Sequence, residues 1–187
     1  HYVNGFCNVC KGCESATDTD NDGILEIDNS GKLYWFAEQV NAGSSGMKAE
    51  LTRDIVVNPN ILKEDGSLVD GANDLRKWTP IGTKEKNYTG EFDGNGHTIS
   101  GLYCTFRSDY SGLFGYISNA TIKNIGVKDS WFYGKYYTGS ICAYSTNNSL
   151  IGKCFNDGST VIGTYGYIGG ISGYSSQTDI RNCYNTG

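Results

Sequence analysis

Hydrophobic and polar positions recur along this chain with a fixed long period. Ala120-Thr121-Ile122-Lys123-Asn124-Ile125, Ser149-Leu150-Ile151-Gly152-Lys153-Cys154 and Thr178-Asp179-Ile180-Arg181-Asn182-Cys183 superpose, so that Ile122, Ile151 and Ile180 stand 29 residues apart, twice. Val127, Asn156 and Asn185 continue that register, and Gly112–Tyr116, Gly139–Tyr144 and Gly169–Tyr174 match upstream with a one-residue slip. An earlier unit, Phe92–Leu102, puts Ile99 and Leu102 in the column of Ile122 and Ile125. Each unit holds two short apolar runs between polar turns, and their local alternation fits strands, not helices. One unit cannot bury its apolar face alone, whereas stacked units share a core. The pattern therefore predicts an all-β solenoid, a single-stranded parallel β-helix of roughly four to five coils, with like residues about 4.8 Å apart in columns. Right-handed coiling follows from the general handedness of parallel crossovers. Leu102, Ile125, Cys154 and Cys183 are expected to form one inner column.

The texture differs before residue 44. Ser30 to Gly43 begins with an N-cap candidate at Ser30, sets Leu33, Phe36, Ala37 and Val40 on one face and stops at a glycine, which predicts a helix. An open solenoid end exposes strand edges and raw core, so this helix is expected to cap it. Leu51–Val57 reads as a first strand, residues 58–77 as a polar excursion, and Trp78-Thr79-Pro80-Ile81-Gly82 as the return. The resulting organisation is a Cys- and Asp-rich leader at 1–23, a capping helix and first strands at 24–89, and repeats at 90–187. The last repeat is complete and uncapped, as expected of a piece of a longer protein, with a dimer stacked through that end as the alternative.

Trp78–Gly82, then Gly90-Glu91-Phe92-Asp93-Gly94-Asn95-Gly96-His97-Thr98-Ile99-Ser100-Gly101-Leu102, then Gly112-Leu113-Phe114-Gly115 resembles the GLUG-repeat β-helices of bacterial cell-surface proteins. Leu33–Ala37 looks like the lead-in found before such repeats in proteins of gut Firmicutes, and the similarity spans about residues 24–187. Related repeats occur in adhesin-like proteins and in non-catalytic regions of immunoglobulin A1 peptidases. The resemblance implies an extracellular or surface location and a structural or binding role, and it brings no catalytic motif onto these positions.

Composition narrows the partners. Fifteen Lys+Arg against 20 Asp+Glu give a net charge of −5, which disfavours nucleic acid, whose phosphates need clustered basic residues. No apolar run is long enough to span a membrane. The 26 Gly and 14 Tyr with only 2 Pro agree with many short strands joined by tight turns.

Two metal motifs stand out in the leader. Asp18, Asp20 and Asp22, followed by Gly23 and the Ile24 carbonyl, space oxygen ligands as a Ca²⁺ loop does, with Glu26 or Asp28 to complete the set. The alternative is a solvated acidic turn. Cys7, Cys10 and Cys13 with His1 offer a crowded Zn²⁺ set, against a Cys7–Cys10 disulfide or the stub of a preceding repeat. Cys104, Cys142, Cys154 and Cys183 read as core residues, with a Cys154–Cys183 bond as the alternative.

Catalytic constellations are sparse. Glu91, Asp93 and His97 surround a Gly94-Asn95-Gly96 turn, while Asp109, Asp129, Asp157 and Asp179 stand singly, so a lyase or hydrolase is the weaker alternative. Aromatic residues recur before the glycine opening each coil: Phe106 and Tyr110; Trp131, Phe132, Tyr133, Tyr136 and Tyr137; Tyr165 and Tyr167. Equivalent positions fall on one side of a solenoid, so Trp131, Tyr133, Tyr136, Tyr137, Tyr165 and Tyr167 are expected to form a strip for a host glycan or host surface protein. The expected function is a non-catalytic stalk or adhesin module, joined to further domains of its parent chain; a non-catalytic domain of a secreted peptidase is the other alternative.

Overall fold

The computed structural model describes residues 2–7, 12–105 and 109–187. The chain winds as a parallel β-solenoid whose turns each contribute to five sheets. The first sheet stacks Leu25–Ile27, Ala49–Leu51, Glu91–Asp93, Thr121–Lys123, Ser149–Gly152 and Thr178–Arg181. The second stacks Ile55–Val56, Thr98–Ser100, Gly126–Lys128, Phe155–Asp157 and Tyr184–Asn185. Tyr103–Cys104, Trp131–Gly134 and Thr160–Gly163 make the third sheet, and Tyr110–Ser111, Tyr137–Gly139 and Tyr167–Gly169 the fourth. Phe114–Ser118, Cys142–Thr146 and Ser172–Ser175 close each turn as the fifth.

Three turns are complete, fewer than the pattern suggests. Between Ala49 and Tyr88 the chain supplies strands to the first two sheets only, and Lys77, Ile81 and Tyr88 rejoin the stack through single bridges to Tyr103, Phe114 and Ile117. Residues 51–57 are accordingly not one strand. Leu51 and Ile55 lie in different sheets, on either side of a bend.

The column Ile122, Ile151, Ile180 is as expected, but Phe92, not Ile99, precedes it. Ile99 instead pairs with Val127, and Leu102 aligns with Ser130, whose Oγ accepts from its N–H. The cause is the longer turn at residues 94–97, which moves the first unit out of the constant period. The corners explain the chain's many asparagines. Asn124, Lys153 and Asn182 occupy one column with φ of 54, 55 and 55°, and Asn119, Asn148 and Gln177 occupy another with φ of 53, 58 and 51°. Asn enters this left-handed region at lower cost than other side chains.

The helix spans Ser30–Ala42, with Leu33, Phe36, Ala37 and Val40 buried, as predicted. Its N-cap is Asn29, not Ser30: Asn29 is extended and its side chain accepts from the Lys32 N–H, while Ser30 begins the first helical turn and donates to the Asn4 carbonyl. The helix covers the N-terminal end of the core, where the Phe36 ring meets Phe92 at 5.7 Å and Tyr88 at 5.9 Å. Tyr2–Val3 and Phe6–Cys7 form a small antiparallel ladder over the start of that helix. A Cβ on Gly31 would come within 2.0 Å of the Gly5 carbonyl oxygen, so the approach requires glycine there.

Candidate functional site

The fourth and fifth sheets meet along one side of the solenoid. In Phe114–Ser118 the inward residues are Phe114 and Ile117, and Tyr116 faces out. Parallel register repeats that choice in each turn, aligning Tyr116 with Tyr144 and Tyr174, and Tyr110 with Tyr137 and Tyr167. Two tyrosine ladders result. Within the first, Tyr110–Tyr137 and Tyr137–Tyr167 stack at 5.2 and 5.7 Å with planes 9° and 5° apart. Within the second, Tyr116–Tyr144 and Tyr144–Tyr174 stack at 4.5 and 4.7 Å. Between the ladders the rings meet edge to face, Tyr137 against Tyr144 at 5.1 Å and Tyr167 against Tyr174 at 5.2 Å. Burial, with repulsion from neighbouring phenols, pushes the Tyr110 and Tyr144 hydroxyls above their ordinary values.

The structure divides the expected strip. Tyr137 and Tyr167 belong to the ladders. Trp131 and Tyr133 project from the third sheet on either side of buried Phe132, where Trp131 aligns with Tyr103 and Thr160 and Tyr133 with Ile162. Tyr136 and Tyr165 occupy the corner between these sheets, 6.3 Å apart with a 40° tilt, and the Lys135 ammonium sits 4.7 Å from the Tyr136 ring centroid. Tyr116, Tyr144 and Tyr174, each at the end of a repeat block visible in the sequence, lie outside the expected strip. Phe106 lies outside the described residues.

At the leader turn, Asp18, Asp20 and Asp22 hold carboxylate oxygens within 4.8 Å of one another. Backbone N–H groups of Asp22 and Gly23 donate to Asp18, and that of Ile24 donates to Asp22. Partial desolvation, with the Asp22 charge beside it, raises the Asp20 carboxyl above its ordinary value. Glu26 is engaged elsewhere, accepting from the Thr19 hydroxyl and N–H, and Asp28 pairs with Lys32 at 3.1 Å. The turn thus gathers three carboxylates suited to a hard divalent cation, not the full expected set. Of the Zn²⁺ candidates, His1 and Cys10 lie outside the described residues. Burial raises the Cys13 thiol, which donates to Glu38, and Cys7 lies in the small N-terminal ladder.

Cys104, Cys142 and Cys154 are buried thiols, and burial pushes Cys104 to about 11 and Cys142 to about 12. Cys183 stacks one coil from Cys154 as a thiol, not a disulfide, its Sγ accepting from the Cys154 N–H. The candidate acids are similarly committed. Lys123 pairs with both Glu91 and Asp93, and His97 faces Asp54 at 3.4 Å. Burial works to raise Asp93, but donors from Asn124, Asn95 and Lys123 outweigh it and hold the carboxyl below its ordinary value. A proton-donating acid needs the opposite shift.

Residues 164–187 match the model of the GLUG motif. The comparisons with curated proteins and with solved structures each returned no match. The GLUG segment begins at the Tyr165 corner and carries Tyr167 and Tyr174, the last rung of both ladders. With the parallel solenoid, it fits a GLUG-repeat β-helix, a repeat module consistent with a non-catalytic domain. Among the described residues, no helix is long and apolar enough to cross a membrane.

Proposed function

We propose that this chain is a non-catalytic module of a larger, secreted bacterial cell-surface protein, and that it acts in adhesion by presenting its tyrosine side to a host glycan or host surface protein. The observation that carries this reading is the six-tyrosine face extending over three turns. A stalk needs buried columns and strand pairing, but it has no need of outward tyrosines repeated at two positions in every turn. Tyrosine gives large contact area with few torsions to immobilise, and ladder stacking removes most of the freedom that remains, so binding costs little ordering entropy. The Asp18–Asp22 turn is proposed to take Ca²⁺ as a structural ion.

The test is adherence of the labelled, folded chain to cultured epithelial cells and immobilised mucin. Saturable binding, reduced by Tyr137→Ser with Tyr144→Ser while the variant remains folded, is the expected result. Binding no greater than that of the heat-unfolded chain would remove the adhesion reading and leave the stalk.

A further inference from the structure

Among the described tyrosines, the pair with the nearest rings is Tyr116 and Tyr144, whose centroids lie 4.5 Å apart with planes 20° from parallel. Tyr110–Tyr137 and Tyr137–Tyr167 stack at 5.2 and 5.7 Å, and the corner pair Tyr136–Tyr165 stands at 6.3 Å. Parallel pairing sets Tyr116 directly opposite Tyr144, one turn apart, so neither ring drifts along its strand. Other rings hold the pair from the side. Tyr110 meets Tyr116 at 5.6 Å and Tyr144 at 6.1 Å, and Tyr137 meets Tyr144 at 5.1 Å, all edge to face. The tilt brings one edge of the two stacked rings nearer than their centroids, and the hydroxyls are close enough for each to affect the other's ionisation. Neither ring is fully buried, and Tyr116 faces out of its sheet, which admits a small oxidant.

From this geometry we propose that Tyr116 and Tyr144 are a site of oxidative coupling, converted to an intramolecular dityrosine by a one-electron oxidant such as the oxidised haem of a peroxidase acting on hydrogen peroxide. Each phenol gives one electron to the oxidant and its hydroxyl proton to water. The unpaired electron left behind is shared between the oxygen and the ring carbons beside the hydroxyl-bearing carbon. Two such radicals on neighbouring rings join at those carbons and form one C–C bond. Each joined carbon then loses its hydrogen as a proton while each oxygen regains one, which restores both aromatic rings and both hydroxyls. With peroxide as the terminal oxidant, the two electrons and two protons removed leave as two molecules of water. Proximity selects the partner, because radicals held in contact meet far more often than radicals on separate molecules in dilute solution. The new bond ties two successive turns together. A solenoid keeps its turns in place through contacts between neighbours, so a covalent rung opposes their separation. The coupling needs no binding partner and stands apart from the adhesion reading.

Photogenerated tris(bipyridine)ruthenium(III), a small one-electron oxidant, applied to the dilute folded chain tests the site. The expected product is a monomer that is lighter by two hydrogen atoms after thiol reduction, carries dityrosine fluorescence and yields a cross-linked peptide pair containing Tyr116 and Tyr144 on proteolysis. Its urea midpoint should exceed that of the untreated chain. Tyr144→Phe and Tyr116→Phe, which keep the stacked ring, should each abolish the product, and Tyr165→Phe should leave its yield unchanged. A monomer without dityrosine, cross-links formed only between molecules, a cross-link mapped to another pair, or a product that persists in Tyr144→Phe would each overturn the proposal.

Discussion

At the residue scale, the corners of the solenoid are where side-chain identity and backbone strain meet. Lys153 stands at φ 55° in the column where Asn124 and Asn182 stand in the turns before and after. Its side chain is exposed, so the backbone is the main thing at stake. Lys153→Asn should raise stability by about 0.5 kcal/mol, and Lys153→Gly by up to about 1 kcal/mol, read as a shift in the urea midpoint at constant m-value. The leader turn makes a separate prediction. Free Ca²⁺ at about 100 times its Kd would add about 2.7 kcal/mol to any state that binds it. The melting temperature is expected to be higher in millimolar Ca²⁺ than in EDTA, with the difference abolished by Asp20→Asn; equal values would make the turn a solvated linker.

At the element scale, ladders and columns tie each strand to its equivalents. Ile151 is fully buried between Ile122 and Ile180, so Ile151→Asp places a carboxylate in a shared column whose described neighbours are apolar. That costs several kcal/mol and should abolish the cooperative transition in urea. Aromatic positions separate by element in the same way. Tyr144 stacks on both sides and meets Tyr110 and Tyr137 edge-on, so Tyr144→Ala should lose about 2 to 3 kcal/mol through packing and ring contacts. Tyr165→Ala should change stability by less than about 0.5 kcal/mol, because an exposed corner ring has little packing to lose. Comparable losses for the two would mean that the corner ring is a packing element.

At the scale of the whole molecule, titration sets limits on both sides of neutrality. Asp54 and Asp93 are held below their ordinary values, Asp54 chiefly by the Thr98 N–H and Asp93 by its donors against burial. The unfolded chain therefore binds more protons near pH 4, so this contribution is present above the unfolded pKa of about 3.9 and is lost as pH falls through the lower folded values. Asp93→Asn should flatten that acid limb of melting temperature against pH. Buried Tyr88 and partly buried Tyr34, with Tyr110, Tyr116 and Tyr144 of the ladders, have raised pKa values. Their contribution is whole below about pH 10 and lost as pH rises beyond it, since only the unfolded chain ionises them readily. Part of the phenolate absorbance at 295 nm should therefore appear only with unfolding.

The 29-residue period, the apolar columns and the helix stripe by themselves determined a capped parallel solenoid. Stacking identical geometry makes sequence distance a direct measure of spatial neighbourhood wherever turn length is constant. That logic failed at residues 94–97, where a longer turn displaced Ile99 and Leu102, and at Leu51–Ile55, where a bend divides what looks like one run between two sheets. The Asp18, Asp20, Asp22 spacing was readable because a local turn brings such residues together without help from the rest of the fold. Tertiary structure alone decided the aromatic side. Whether a tyrosine joins a ladder, another sheet or an open corner depends on which of five sheets carries it. Sequence order runs around each turn, whereas the faces run along the stack.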